Sequence, residues 1–171
     1  KMVTEASLKA DFGTVIAYDY EFSQPTAHTP IPSLLCGVEV FGDRQWVYRR
    51  DELASMDSLP FPPNALLTGH YLVAENSCSI ALGFPIPKYQ HDAWIEEKVF
   101  RFGVPSTYGF GLVDCCGFHG LPTRNSLYKS KMQELGMAGG PADDDEDGWK
   151  EFEQYCLEDC RDSAELFKKQ M

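Results

Sequence analysis

Near the N-terminus, Val15-Ile16-Ala17-Tyr18-Asp19-Tyr20-Glu21 reads as a short apolar strand that ends in two acids. Near the other end, Tyr155 and Asp159 stand four residues apart in a long helical segment. Acids spaced i, i+2 on a strand point the same way. Residues spaced i, i+4 on a helix share one face. A fold that joins these two faces gathers negative charge, and such a cluster is costly without cations. Hard oxygen ligands of this kind suit Mg²⁺ or Mn²⁺.

Length and composition fit one ordinary globular domain, 1–171, with 43% hydrophobic and 24% charged residues. No apolar run approaches the roughly 20 residues that span a bilayer, so no membrane partner is expected. Lys1 to Asp11 lack the apolar stretch of a signal peptide, and a start at lysine reads as a fragment or a processed chain. The formal charge of −11 speaks against a nucleic-acid binder of the usual basic kind. Acidic metal ligands inflate that figure, however, and Arg124, Lys129 and Lys131 are candidates for a local basic strip. The six cysteines include no C-x-x-C pair and have no histidine at zinc-ligand spacing. Cys156 and Cys160 share a helix face that zinc could use. The plainer reading is small buried apolar residues in a reducing, cytoplasmic compartment.

Strands are expected over Thr14–Tyr20, Leu34–Phe41 and Gln45–Tyr48, the last two joined by a tight turn at Gly42-Asp43. The segment from Gln24 to Pro32 before them reads as a loop, and Arg50–Asp57 as a short helix. Leu66–His70 reads as a buried strand, Ala74–Gly83 as a helix, and Tyr89–Asp92 as a further strand leading into a helix through about Phe100. Helices follow over Gly109–Phe118 and Ser126–Leu135. Residues 136–148 are Gly-rich and acidic, with five negatives from Asp143 to Asp147, and read as a mobile loop. Trp149–Lys169 is the last helix, with an apolar stripe along it. Strands first, then alternating helices and strands, indicate a mixed α/β domain around a central sheet.

A third segment carries a further acid: Thr68-Gly69-His70-Tyr71-Leu72-Val73-Ala74-Glu75 passes from a strand end through a turn to a helix start. Taken in order, Asp19-x-Glu21, Gly69-His70 leading to Glu75, and Tyr155-x-x-x-Asp159 resemble the three motifs of the DEDD superfamily of 3′–5′ exonucleases. The resemblance is to its tyrosine branch, the proofreading domain of family-A DNA polymerases. Ile80-Ala81-Leu82-Gly83-Phe84-Pro85 and Asp92 are similar to a phage-type subgroup. Two departures stand out: Tyr71 replaces the usual asparagine, and Glu75 falls where the family has aspartate.

The resemblance implies a ribonuclease-H-like fold, a mixed five-stranded sheet flanked by helices, and hydrolysis of a terminal phosphodiester of DNA in proofreading or end trimming. It implies two divalent ions, Mg²⁺ or Mn²⁺, held by Asp19, Glu21, Glu75 and Asp159, with Asp19 bridging both. Tyr155 would orient the attacking water. Its unperturbed pKa near ~10 keeps it protonated at neutral pH. The implied partners are a single-stranded DNA 3′ end and a polymerase domain following in the same parent chain, encoded by a bacterial host or a phage. Asp92 reads as a helix cap before Ala93, or as an acid that reaches the site behind the metal ligands. Phe22, His70, Tyr108 and Phe110 are candidates for contact with bases, although core packing explains each equally well. Trimming of RNA 3′ ends, or an inactive scaffold that docks a polymerase, would use the same residues.

Overall fold

The computed structural model describes residues 3–26 and 29–171. In chain order it contains α1 (Glu5–Phe12), β1 (Val15–Ser23), β2 (Ile31–Glu39), β3 (Gln45–Arg49), α2 (Arg50–Leu53), β4 (Leu66–Gly69), α3 (Leu72–Ala81), β5 (Gln90–Asp92), α4 (Ala93–Phe100), α5 (Leu112–Phe118), α6 (Ser126–Met137) and α7 (Glu146–Gln170). The sheet order is β3-β2-β1-β4-β5. The first three strands pair antiparallel, whereas β1 pairs parallel with β4 and β4 parallel with β5. Parallel pairing requires crossovers, and α2 and α3 lie on those two connections. This is the ribonuclease-H-like mixed five-stranded sheet, flanked by helices, that the motifs implied.

The central strand β1 is buried from both sides, and its side chains alternate between two cores. Val15 and Ala17 join Leu34, Cys36, Phe152, Cys156 and Phe167 beneath α7. Ile16, Tyr18 and Tyr20 face Leu35, Leu53, Phe61 and Leu72 on the opposite side. By the same alternation Asp19 and Glu21 continue the α7 row. Between Glu21 and Phe22 the β1–β2 register shifts, with Glu21 opposite Leu34 and Phe22 opposite Pro32. Ser33, left over in this bulge, donates its hydroxyl to the Glu21 carbonyl at 3.0 Å.

Several elements depart from the sequence-based expectations. Helix α1 had no amphipathic signature, because only Leu8 of its eight residues is buried. It is held instead by a capping box between Thr4 and Ser7. Five residues connect β2 to β3 rather than a tight turn, and Glu39 and Arg44 close them with a backbone bond of 2.9 Å. Helix α2 stops at Leu53, and α5 starts only at Leu112. Residues 27 and 28 of the expected loop lie outside the described residues.

The acidic run at Asp143–Asp147 is not one continuous loop. Asp145 caps α7 by accepting from the Gly148 amide, and Glu146 and Asp147 form the first turn. Acids there complement the helix dipole and the free amides. Arg49 grips Glu146 at 2.7 Å, Arg50 grips Asp143 at 2.8 Å, and the Trp149 indole donates to the Ala142 carbonyl at 3.0 Å. The two ion pairs tie Glu146 to β3 and Asp143 to α2.

Candidate active site

The site lies at the carboxyl ends of β1 and β4, the two parallel strands at the middle of the sheet. It is a cavity of about 700 Å³, and its lining includes Asp19, Glu21, Glu75, Tyr155 and Asp159. Three elements deliver these groups. β1 brings Asp19 and Glu21. α3 brings Glu75, and α7 brings Tyr155 and Asp159 one turn apart. The approach is close on every side. A Cβ on Gly69, at the end of β4, would lie 2.7 Å from Leu72 and 3.1 Å from the Tyr18 carbonyl. A Cβ on Gly136 of α6 would come within 3.2 Å of a Glu21 carboxylate oxygen. A side chain at Gly69 would force Leu72 to shift and crowd the Tyr18 carbonyl, and one at Gly136 would press on the Glu21 carboxylate.

Each acid has a distinct environment. Glu75 is buried, and one of its oxygens accepts the Tyr20 backbone amide at 2.8 Å. Asp159 is buried on α7; it accepts from the Arg124 guanidinium, and the Lys129 ammonium stands 3.7 Å away. Asp19 and Glu21 are half-buried. Among the described residues, the one cluster of potential metal-ligating side chains brings together Asp19, Glu21 and Cys156, whose ligand atoms lie within 4.8 Å of one another.

Burial and mutual repulsion raise the acids' affinity for protons. The Asp19 carboxyl is pushed up to about 7, first by burial and then by the charge of Asp159. Burial holds Glu21 and Glu75 well above the usual carboxylate range, and the Asp19 charge adds to the effect on both. Burial, followed by Asp159, also raises the Tyr155 hydroxyl, so it remains a phenol at neutral pH. The Cys156 thiol is pushed up by burial and by its neighbours Cys160 and Cys36. It stays protonated and faces Asp19, with its sulfur 3.6 Å from the Asp19 carbonyl and 3.7 Å from Oδ2.

This donor set fits a hard divalent ion. Carboxylates crowded at the cost of their own ionisation gain most from a cation, and carboxylate oxygen is the ligand that Mg²⁺ and Mn²⁺ prefer. Asp19 and Glu21 would form the core of the ion site, with Glu75 and Asp159 at its margin.

The remaining candidates divide into two groups. Phe22, His70 and Lys129 line the cavity. His70 is held neutral by burial, and its Nε2 lies 2.9 Å from the Phe110 carbonyl. Arg124 and Lys131 do not form a free basic strip. Arg124 is spent on Asp159 and on Asp162 at 2.9 Å, and Lys131 pairs with Glu151 at 3.1 Å. With so many acids on the chain, both side chains find intramolecular partners. Asp92 is a cap for two helices. Its carboxylate accepts from Trp94 and Ile95 at the start of α4, and from Tyr71 and Leu72 at the start of α3.

Sequence reasoning missed Cys156 as the close neighbour of Asp19, and Tyr71 and Trp94 as cavity-lining residues. Tyr71 did carry a signal, since it stands where the family motif has asparagine. Its backbone is left-handed, φ 69°, and among the described residues it is the one non-glycine so placed. Asparagine tolerates that region better than tyrosine does.

All six cysteines are free and buried, and among the described residues no helix is long and apolar enough to cross a membrane. No protein-family model and no curated protein sequence matches the chain. A search of solved structures does find matches. One, described as the apo form of the nuclease, superposes with a TM-score of 0.64 at 15% identity, covering 98% of this chain and 76% of that one. At that identity the likeness speaks for a shared fold.

Proposed function

We propose that this chain is a metal-dependent nuclease, and specifically a 3′–5′ exonuclease that hydrolyses the terminal phosphodiester of single-stranded DNA. The observation that carries the reading is the convergence of Asp19, Glu21, Glu75, Asp159 and Tyr155 on one open cavity. No packing requirement explains four acids in one depression, where burial and then mutual repulsion raise the proton affinity of at least three. The similarity in fold to a protein described as a nuclease supports the same reading.

Divalent ions bound there would supply Lewis acidity at the phosphate and a water of lowered pKa. The chain's own residues do the rest. Asp19 and Glu21 hold the ions at the end of β1. Glu75 keeps one oxygen on the Tyr20 amide, so its carboxylate is aimed by the backbone of the same strand. Tyr155, a phenol at working pH, orients the attacking water through its hydroxyl. His70, neutral and fixed to the Phe110 carbonyl, shapes the wall.

A proofreading role beside a polymerase domain, and a cytoplasmic setting, belong to this proposal through the motif resemblance. One observation favours a second reading. Arg124 already neutralises Asp159, as expected of an inactive scaffold whose acids have been silenced from within. End-labelled single-stranded DNA and RNA, incubated with Mg²⁺, Mn²⁺ or EDTA, separate the possibilities. Laddering from the 3′ end that EDTA abolishes supports the exonuclease, and the preferred sugar identifies the nucleic acid. Intact substrate under every metal condition overturns it in favour of the scaffold.

A further inference from the structure

Beside the acids, the cavity has a wall of a different character. Tyr71 and Trp94 both line it, and their rings meet edge to face with centroids 5.2 Å apart. Tyr71 is 44% exposed, unusual for a ring whose backbone is already held in the costly left-handed region. Lys98, one turn beyond Trp94 on α4, places its ammonium 4.8 Å from the Trp94 ring and 3.9 Å from the Phe110 ring. Lys98 is exposed and makes no ion pair among the described residues.

The wall is rigidly built. A single oxygen of Asp92 accepts both the Tyr71 and the Trp94 amide, at 3.2 and 2.9 Å, and so locks the two backbones together. On the inner face of α4, buried Glu97 binds His119 and Gln170. Arg101, also buried, donates to the carbonyls of Tyr108 and Gly109, and thereby sets Phe110 opposite Lys98. Strain in Tyr71 and two independent clamps hold an exposed ring and a half-buried one, set edge to face, beside a pocket of acids. Core packing needs none of this.

We propose that Tyr71 and Trp94 form a stacking platform for the bases of a single strand entering the carboxylate cavity, with Lys98 meeting a phosphate beside it. The identity of the ligand rests on the nuclease reading above. The chemistry follows from charge. The net charge is −11, and Arg124 and Lys131 are spent on acids, so a basic surface offers little attraction. Bases, however, have neutral faces, and stacking on aromatic rings is tolerant of sequence. Cations there are few: Lys129 on the lining stands 3.7 Å from Asp159, and Lys98 lies beside the cavity with no ion pair among the described residues. Affinity should therefore come from the bases more than from the phosphates. If Lys98 neutralises one phosphate, log affinity falls against log salt with a slope of only about 0.7.

The test is anisotropy of a labelled hexathymidylate, in EDTA so that nothing is cut, against a hexamer of abasic sugar-phosphate. The intact oligomer should bind at least about tenfold more tightly than the abasic one. Trp94→Ala and Tyr71→Ala should each lose about tenfold, and should shrink the difference between the two oligomers. Trp94→Phe, which keeps a ring, should lose less, and Lys98→Gln should lower the salt slope. Melting curves of every variant exclude misfolding as the cause. Equal binding of abasic and intact oligomers, unchanged affinity in both alanine variants, or no binding at all would overturn the platform. The nuclease reading fails differently: base-dependent binding with no cleavage in Mg²⁺ or Mn²⁺ would sink that reading and leave the platform standing.

Discussion

Arg124 donates to the carboxylate of Asp159, the α7 acid of the third motif, and so occupies the place where an ion would take its charge. The guanidinium also lies 5.4 Å from the centre of the Tyr155 ring, so one arginine touches both motif residues of that helix. Binding of a divalent ion through Asp159 competes with this pair.

Arg124→Met tests the competition. The variant leaves Asp162 without its cation and Asp159 with only Lys129 at 3.7 Å, and breaking a pair this buried costs on the order of 3 kcal/mol in the metal-free protein. Ion binding no longer has to displace the guanidinium. The rise in melting temperature on adding Mn²⁺ should therefore be larger in Arg124→Met than in wild type. An equal rise in both proteins would mean that the pair and the ion coexist.

The raised carboxyl of Asp19 predicts an inverted pH profile. Its folded pKa is about 7, above the ordinary carboxylate value, so the native state holds a proton that the unfolded chain has already released. This contribution to metal-free stability should fall as pH rises from about 4 through about 7, then level off. Glu21 and Glu75 act in the same direction. Saturating Mg²⁺ or Mn²⁺ should flatten the fall, because the ion takes the place of the proton, and apparent metal affinity should climb through the same interval. Melting curves from pH 4 to 8, with EDTA and with Mn²⁺, read both effects.

Glu75 separates a structural from a chemical role within one side chain. In Glu75→Gln the amide oxygen can still accept the Tyr20 amide, so metal-free stability should hold or rise. Cleavage should drop severely. Glu75→Ala instead strands the buried Tyr20 amide and should cost about 1–3 kcal/mol. Wild-type cleavage by Glu75→Gln would remove this residue from the ion site.

Tyr155→Phe keeps the packing of the ring and loses only the hydroxyl. One positioned hydrogen bond lost at the transition state corresponds to roughly a hundredfold slower cleavage. Melting temperature and Mn²⁺ affinity should scarcely change. A variant as fast as wild type would make Tyr155 a packed aromatic, with the water oriented by another group.

Asp92→Ala removes an acceptor for four backbone amides at the starts of α3 and α4. Two lost caps should cost about 2 kcal/mol of stability. The extra stabilisation conferred by Mn²⁺ should be unchanged, since Asp92 is not a ligand. Urea titrations with and without the ion separate the two quantities.

The central architecture was legible because it rests on strong local signals. The apolar run before Asp19 and the long amphipathic pattern after Trp149 each force one element, and the fold must bury both. The convergence of Asp19, Glu21, Glu75 and Asp159 could be read only through the order of the motifs, since no local rule brings β1, α3 and α7 together. What stayed hidden depends on partners distant in sequence. Arg124 looked like a free cation until Asp159 and Asp162 were beside it. Trp94 gave no signal, because its place on the cavity wall follows from which side of α4 buries Glu97. Helix α1, with one buried residue, is stabilised by a cap that periodicity cannot detect. The acidic run at 143–147 read as a loop because charge density outweighed the capping role of Asp145.

The bulge opposite the junction of Glu21 and Phe22 divides β1 into two independent registers. Everything up to Glu21 is indexed to the segment Leu34–Glu39, and everything after it to Ile31 and Pro32. Length changes in the connection between the two strands are thus mechanically insulated from the acids. Insertions between Ser23 and Ile31 can accumulate or be engineered, as a tether or a fused recognition module, without turning Asp19 and Glu21 away from α7. A deletion at Ser33 has the opposite character, because it merges the two registers and transmits any slip in the connection directly to the carboxylates.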